Sequence, residues 1–205
     1  SKFPPTIALQ KSINILRSIC ENNLVNVMPV ILQPIWKDFV ITVDHSANTI
    51  IAGCMGFPCF QHPSFKLPVE FFETNKYRLS DYKYINLERG YSYYEKLQRE
   101  AFMIALRSQI LRYPNFNRVI ILTHYAIFDA QSSTKNDLNP YFINHLLGEE
   151  ILGLANTHQN LKFYCFSGHS HEFSRNQYLS ISNNVDVLGL TGHYGKLEPA
   201  FCDLA

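Results

Sequence analysis

The chain has 205 residues, of which 46% are hydrophobic and 14% aromatic, and its formal net charge is +1 at pH 7. This length and apolar content suffice for one sizeable core, so we expect residues 1–205 to form a single domain. The nearly neutral charge gives no basis for a polyanionic partner, and no nucleic acid is expected. Since no run of about 18 apolar residues occurs, no membrane-spanning segment is expected either.

The five cysteines are an odd number and lack the tight spacing of a metal site. Cys54 and Cys59 match a zinc knuckle weakly and are more typical of thiols that are buried or lie in a loop. Free thiols favour a reducing compartment, and no signal peptide opens the chain. We therefore expect a cytoplasmic protein.

The first half of the chain predicts a helix, a hairpin and a long surface segment. Apolar residues recur at helical spacing over residues 7–22. Two β-rich runs, 39–43 and 49–52, flank a turn-rich insert and predict a hairpin. Residues 56–90 contain three prolines and many aromatics without a clear period. We interpret them as an ordered excursion that forms a lid or pocket wall.

The second half alternates helices with strands. Neither glycine nor proline interrupts the helical pattern from Tyr91 to Tyr113, and Pro114 ends it. Further along, the patterns predict a strand at 118–123, a helix at 140–155 after an N-cap at Asn139, a strand at 163–166, and strands at 173–181 and 185–191. This order predicts a layered α/β domain with a mixed sheet.

Two of the predicted strands end in histidine. The apolar run before Thr123 leads directly to His124, and the run at 163–166 leads to Gly168-His169-Ser170-His171. His169 and His171 project to the same side of an extended segment because side chains alternate along a strand. Neutral imidazole is a common metal ligand, and ligands at strand ends rest on rigid elements. The sequence therefore predicts a metal site at His124, His169 and His171.

A strand ending in Thr123-His124-Tyr125, then a helix, then a strand ending in Gly168-His169-Ser170-His171 resembles the C-terminal half of the calcineurin-like metallophosphoesterase superfamily. The resemblance implies an α-β-β-α sandwich with mixed sheets, of which this chain is an incomplete, C-terminal portion. It also implies two divalent metal ions, Mn, Fe or Zn, with His124 and His169 on one and His171 on the other. A hydroxide that bridges such a pair attacks a phosphate ester in line.

The sequence departs from the family in its first half. The family's Asp-x-His, Gly-Asp and Gly-Asn-His motifs do not occur, and Ala126 stands where the family usually has proline. Asn144-His145 is the only Asn-His pair, and we interpret it as a surface pair on a helix. We therefore expect a piece of a longer protein, active only together with the carboxylates of a missing N-terminal segment.

His193 lies between Gly192 and Gly195, in Gly192-His193-Tyr194-Gly195 near the end of the chain. Its flanking glycines allow close backbone approach, so it either lines the substrate pocket or is a structural loop histidine. The leading hypothesis is a phosphoesterase acting on a phosphorylated substrate. The alternatives are a catalytically inactive interaction scaffold of the same fold, or an α/β domain with a mononuclear zinc held by three histidines.

Overall fold

The computed structural model describes residues 39–61, 63, 66–75, 89–131, 139–168 and 179–189, which belong to one compact unit spanning 35–205. The helix predicted at 7–22 and the side chains of His169, His171 and His193 lie outside the described residues. Within the described part, no helix combines the length and the apolar character that a membrane crossing requires.

The described elements follow in chain order as β1 (Phe39–Asp44), β2 (Thr49–Cys54), α1 (Val69–Asn75), α2 (Tyr91–Arg112), β3 (Arg118–Thr123), a 3₁₀ turn (Asp129–Gln131), α3 (Asn139–Phe142), α4 (His145–Thr157), β4 (Lys162–Ser167), β5 (Leu179–Ser182) and β6 (Val185–Gly189).

The strands among the described residues form one six-stranded mixed sheet with the order β1-β2-β3-β4-β6-β5. The four inner strands β2, β3, β4 and β6 are parallel, and the edge strands β1 and β5 pair antiparallel to them. The α/β class and the mixed sheet are thus confirmed. Cys54 pairs with Thr123, Thr123 with Ser167, and Ser167 with Gly189, so the inner strands end at one level. Their carboxyl ends share one edge of the sheet.

One face of the sheet is covered by α2 and α4. Alternate strand residues on this face are fully buried among apolar side chains of the two helices, with Ile50, Ile121 and Phe163 packed in one cluster with Leu106 and Ile151. Burying a side chain of this kind stabilises the fold by about 1.5–3 kcal/mol. This cluster is the main core.

The opposite, outer face of the sheet has a smaller apolar cluster. Tyr164, Phe166 and Leu188 are buried there with Ile120 packed against them, but Leu122 is 44% exposed. Toward the amino ends of the strands this face is polar. The outer face is therefore apolar mainly near the carboxyl edge.

Most predicted elements agree with the structure, and the differences have local causes. The prediction for β3 is exact, and α2 ends two residues before Pro114. The helix predicted at 140–155 is interrupted, because Ile143 forms a parallel bridge with Ala126 and Asn144 begins a new helix. The excursion at 56–90 contains a helix, α1, that the sequence did not predict.

Candidate functional site at the carboxyl edge of the sheet

His124 is the first residue after β3, and its side chain is exposed at the carboxyl edge. Its ring lies edge-on to that of Tyr125, with centroids 4.8 Å apart. The loop after β4 begins beside it, since the Gly168 N–H donates to the Thr123 carbonyl at 3.1 Å. A Cβ at Gly168 would lie 3.6 Å from the His124 carbonyl oxygen. The two predicted histidine motifs therefore leave the sheet side by side.

The other three predicted site residues are described only by where they attach. His169 follows Gly168 directly, His171 lies two residues further, and His193 comes four residues after the end of β6 at Gly189. Their side chains lie outside the described residues, so these assignments stay predictions. Among the residues that the structure describes, no group of three or more His, Cys, Asp or Glu side chains is placed to hold a metal ion.

A buried glutamine fixes the loop that follows His124. The Gln131 Oε1 accepts the N–H groups of Ile127 at 3.1 Å and Phe128 at 3.2 Å. Its Nε2 donates to the carbonyls of Cys165 at 2.9 Å and Leu188 at 3.5 Å. Gln131 thus joins this loop to β4 and β6, which limits the freedom of the segment next to His124.

A second buried amide, Asn144, corrects the prediction of a surface pair. It is 1% exposed and is the N-cap of α4, where its Oδ1 accepts the Leu147 N–H at 2.9 Å. Its Nδ2 donates to the Phe57 carbonyl at 2.6 Å, and its own N–H donates to the Ala126 carbonyl at 2.8 Å. Asn144 therefore ties the loops after β2 and β3 to the start of α4.

The loop after β2 also contacts the His124 segment directly. The Tyr125 N–H donates to the Met55 carbonyl at 3.2 Å, and the Gly56 N–H donates to Oε1 of the buried Gln98 at 3.1 Å. Gly56 has a φ of 64°, and a Cβ there would lie 3.2 Å from that of Thr123. Only glycine accommodates both this φ and this approach without strain.

A buried ion pair lies beneath these loops. Glu95 on α2 is 4% exposed, and its Oε1 accepts from Arg99 Nε at 2.7 Å and from Asn144 Nδ2 at 3.1 Å. Arg99 also pairs with Glu150 on α4. Burial raises the pKa of the Glu95 carboxyl, and the bonds from Arg99 and Asn144 oppose that rise. Because Arg99 contacts Glu95 on α2 and Glu150 on α4, it links the two helices of the core face.

Of the described cysteines, Cys59 and Cys165 are buried, whereas Cys54 is only half-buried and ends a strand rather than lying in a loop. Burial raises the pKa of Cys54, at the end of β2, to about 12, and it also raises the pKa values of Cys59 and Cys165. The Cys59 thiol donates to the Gln61 carbonyl at 3.2 Å. Among the described residues, neither Cys54 nor Cys59 belongs to a group of three or more side chains placed to hold a metal ion.

The sequence did not indicate the roles of Gln98, Gln131 and Asn144. The one available signal was at Asn144, where an asparagine, a residue favoured at the N-cap, stands directly before a helical run. The described geometry fits a metal ligand at His124, because an exposed imidazole there adjoins the segment that leads to His169. No family model, no curated protein and no solved structure matches this chain.

Proposed function

We propose that the protein is a metal-dependent phosphoesterase of the calcineurin-like type, with His124, His169 and His171 as ligands of two divalent metal ions. The observation that supports this proposal is the hydrogen bond from the Gly168 N–H to the Thr123 carbonyl. This bond joins the starts of the two histidine motifs, which follow neighbouring strands that end at the same level. When bound, two such metals provide a hydroxide at neutral pH and hold a phosphoryl group for in-line attack.

In this proposal the chain's own residues orient the ligands. Gln131 and Asn144 fix the backbone around His124, and a ligand on a fixed backbone loses little entropy when it binds. His193 follows β6, the next strand along the edge, and contacts the phosphorylated substrate. The bridging carboxylates come from a segment that contains the Asp-x-His and Gly-Asp motifs missing from this sequence.

The same proposal assigns a second sheet to the outer face. Leu122 is 44% exposed there and Ile120 only partly buried, close to a buried cluster of aromatic rings. Apolar side chains on a sheet face are buried when another layer packs about 10 Å away. We propose that a second sheet packs on this face and completes an α-β-β-α sandwich.

The test is hydrolysis of an aryl phosphate by the product of the complete reading frame, assayed with added manganese. We expect His124→Ala and His169→Ala each to lower the rate by at least about 100-fold, because each removes a metal ligand. His158→Ala is the control, since His158 lies after α4, away from the carboxyl edge. Activity near the wild-type level in both ligand variants rejects the proposal.

Metal analysis of the same samples separates the alternatives. About two metals per chain, lost together in the His124→Ala variant, agree with the phosphoesterase. About one zinc per chain without hydrolysis identifies a mononuclear zinc domain. A well-folded protein that binds no metal is a scaffold, the outcome that the missing acidic motifs would explain.

A further inference from the structure

The last residue of β4, Ser167, has a hydroxyl group that is buried without a hydrogen-bond partner. The residue is 0% exposed, and its Oγ forms no hydrogen bond among the residues that the structure describes. Burying a hydroxyl in this way is unfavourable, so such groups are rare in folded proteins, and many of them have a role beyond the fold. Ser167 is therefore a candidate for such a role.

The packing around Ser167 gives no reason for a hydroxyl at this position. Phe163 and Cys165 of the same strand are buried in the main core. Because side chains alternate along a strand, Ser167 projects to the same helix-covered face of the sheet. Alanine has nearly the same size and would fill this place without burying a polar atom.

The polar side chains near Ser167 have already used their donors. Thr123, which pairs with Ser167 across the sheet, donates from its Oγ1 to the Phe166 carbonyl at 3.4 Å. Gln131 donates from its amide nitrogen to main-chain carbonyls of β4 and β6, and its oxygen accepts two N–H groups. Neither side chain has a donor left for the Ser167 oxygen.

Ser167 lies at the carboxyl edge, directly before the second histidine motif, and only Gly168 separates it from His169. In an extended segment, residues two apart project to the same side and lie about 6.7 Å from each other, a span that an imidazole ring can cover. A histidine that binds a metal through one ring nitrogen donates the N–H of the other to a nearby acceptor, which fixes the orientation of the ring. A serine oxygen is such an acceptor.

We propose that the Ser167 hydroxyl accepts the ring N–H of His169 when the metal is bound, which makes Ser167 a positioning residue for the metal of His124 and His169. The inference rests on the proposed function, which supplies the role of His169 as a ligand. The bond turns the second ring nitrogen of His169 toward the metal, and it gives the buried oxygen its partner. The hydroxyl thus serves metal affinity and not folding.

The first test compares manganese affinity, measured by calorimetric titration, with urea unfolding in the presence of a chelator. Both use the product of the complete reading frame. We expect Ser167→Ala to weaken the binding of one manganese ion about 10- to 100-fold, the usual effect of removing such a partner. Its urea midpoint in the chelator should equal or exceed that of wild type, because no hydrogen-bonded hydroxyl is lost.

Thr49→Val is the matched control. The Thr49 hydroxyl belongs to an equally buried residue, but it donates to the Ala47 carbonyl at 2.9 Å, at the amino end of β2 and thus far from the carboxyl edge. We expect this change to show the opposite pattern, with a lower urea midpoint and an unchanged manganese affinity.

The second test observes the ring N–H itself, by NMR of the protein saturated with zinc, which is diamagnetic, and containing isotope-labelled histidine. A hydrogen-bonded ring N–H exchanges slowly with water and gives a resolved signal. We expect this signal in wild type and in Thr49→Val. It should be lost in Ser167→Ala and also in His169→Ala, which identifies the ring that it comes from.

The outcomes separate this inference from the proposed function. A wild-type protein that binds no manganese rejects the proposed function and this inference with it. If wild type binds manganese, three results overturn the inference alone. They are equal manganese affinity in Ser167→Ala, a lower urea midpoint of that variant in the chelator, or a slowly exchanging ring N–H that persists in it.

Discussion

Two glycines of α4 occupy opposite environments although they lie only five residues apart. A Cβ at Gly148 would lie 2.1 Å from the Ile127 carbonyl oxygen and 3.2 Å from a ring carbon of Phe128. At Gly153 no atom of the described residues lies within 4 Å of the corresponding position. The lack of a side chain at Gly148 therefore allows α4 to lie this close to the loop after His124. Gly153 plays no such part in the packing of α4.

We expect Gly148→Ala to lower the free energy of unfolding by more than about 2 kcal/mol, because the Ile127 backbone that it would displace is held by Gln131. Gly153→Ala should raise it by about 0.5–1 kcal/mol, since alanine is the better helix former. Urea unfolding measures both. Equal effects of the two changes would contradict the described packing of α4 on this loop.

At this scale the sequence indicates His124 but not its supports. An apolar run that ends in histidine is a pattern of neighbouring residues, and it predicted the position of His124 at a strand end correctly. The bond from Asn144 to the Phe57 carbonyl spans 87 residues, and Gln131 bonds to strands 34 and 57 residues away. No local sequence pattern contains partners this far apart, so the roles of these two amide side chains become apparent only in the folded structure.

Among the elements, α2 and α4 are joined by Arg99, which bridges Glu95 on one helix and Glu150 on the other. Because burial raises the pKa of Glu95, its carboxyl binds a proton more tightly in the folded chain than in the unfolded chain. Its contribution to stability is fully present below the ordinary pKa of glutamate. That contribution is lost as the pH rises through the raised value.

We therefore expect wild type to gain stability relative to Glu95→Gln when the pH falls from about 7.5 to 4.5, because glutamine does not titrate. Urea unfolding at several pH values gives the difference. Glu100→Gln is the control on the same helix, since Glu100 is exposed. A relative loss of wild-type stability on acidification would mean that pairing with Arg99 outweighs burial.

The elements themselves were largely predictable, for a physical reason. Strands β3 and β4 are short apolar runs bounded by polar residues, and α2 has no breaker before Pro114, so local sequence determines them. The break before α4 arises because Asn144 caps the helix and Ile143 pairs with Ala126. The capping asparagine is visible in the sequence, but the pairing of Ile143 with Ala126 is not.

At the scale of the whole molecule, the sheet has two unlike faces. Helices bury the first, whereas on the outer face Tyr164 and Phe166 are buried and Leu122 is 44% exposed. Side chains of a parallel strand alternate between the two faces of the sheet, and both sets are apolar where both faces are covered. Strand β3 has apolar side chains on both faces, since Ile120 and Leu122 lie on the outer one.

Leu122→Asp tests the second layer that we propose for this face. If a second sheet packs on it, the substitution buries a carboxylate against apolar side chains, and we expect a loss of at least about 2 kcal/mol in the product of the complete reading frame. Thr42→Asp is the matched control, because Thr42 lies on the same face but is exposed on the edge strand β1. Urea unfolding of both variants gives the comparison. If Leu122→Asp costs no more than Thr42→Asp, the outer face is solvated and the sandwich is wrong, whereas the histidines at the carboxyl edge keep their own test in hydrolysis.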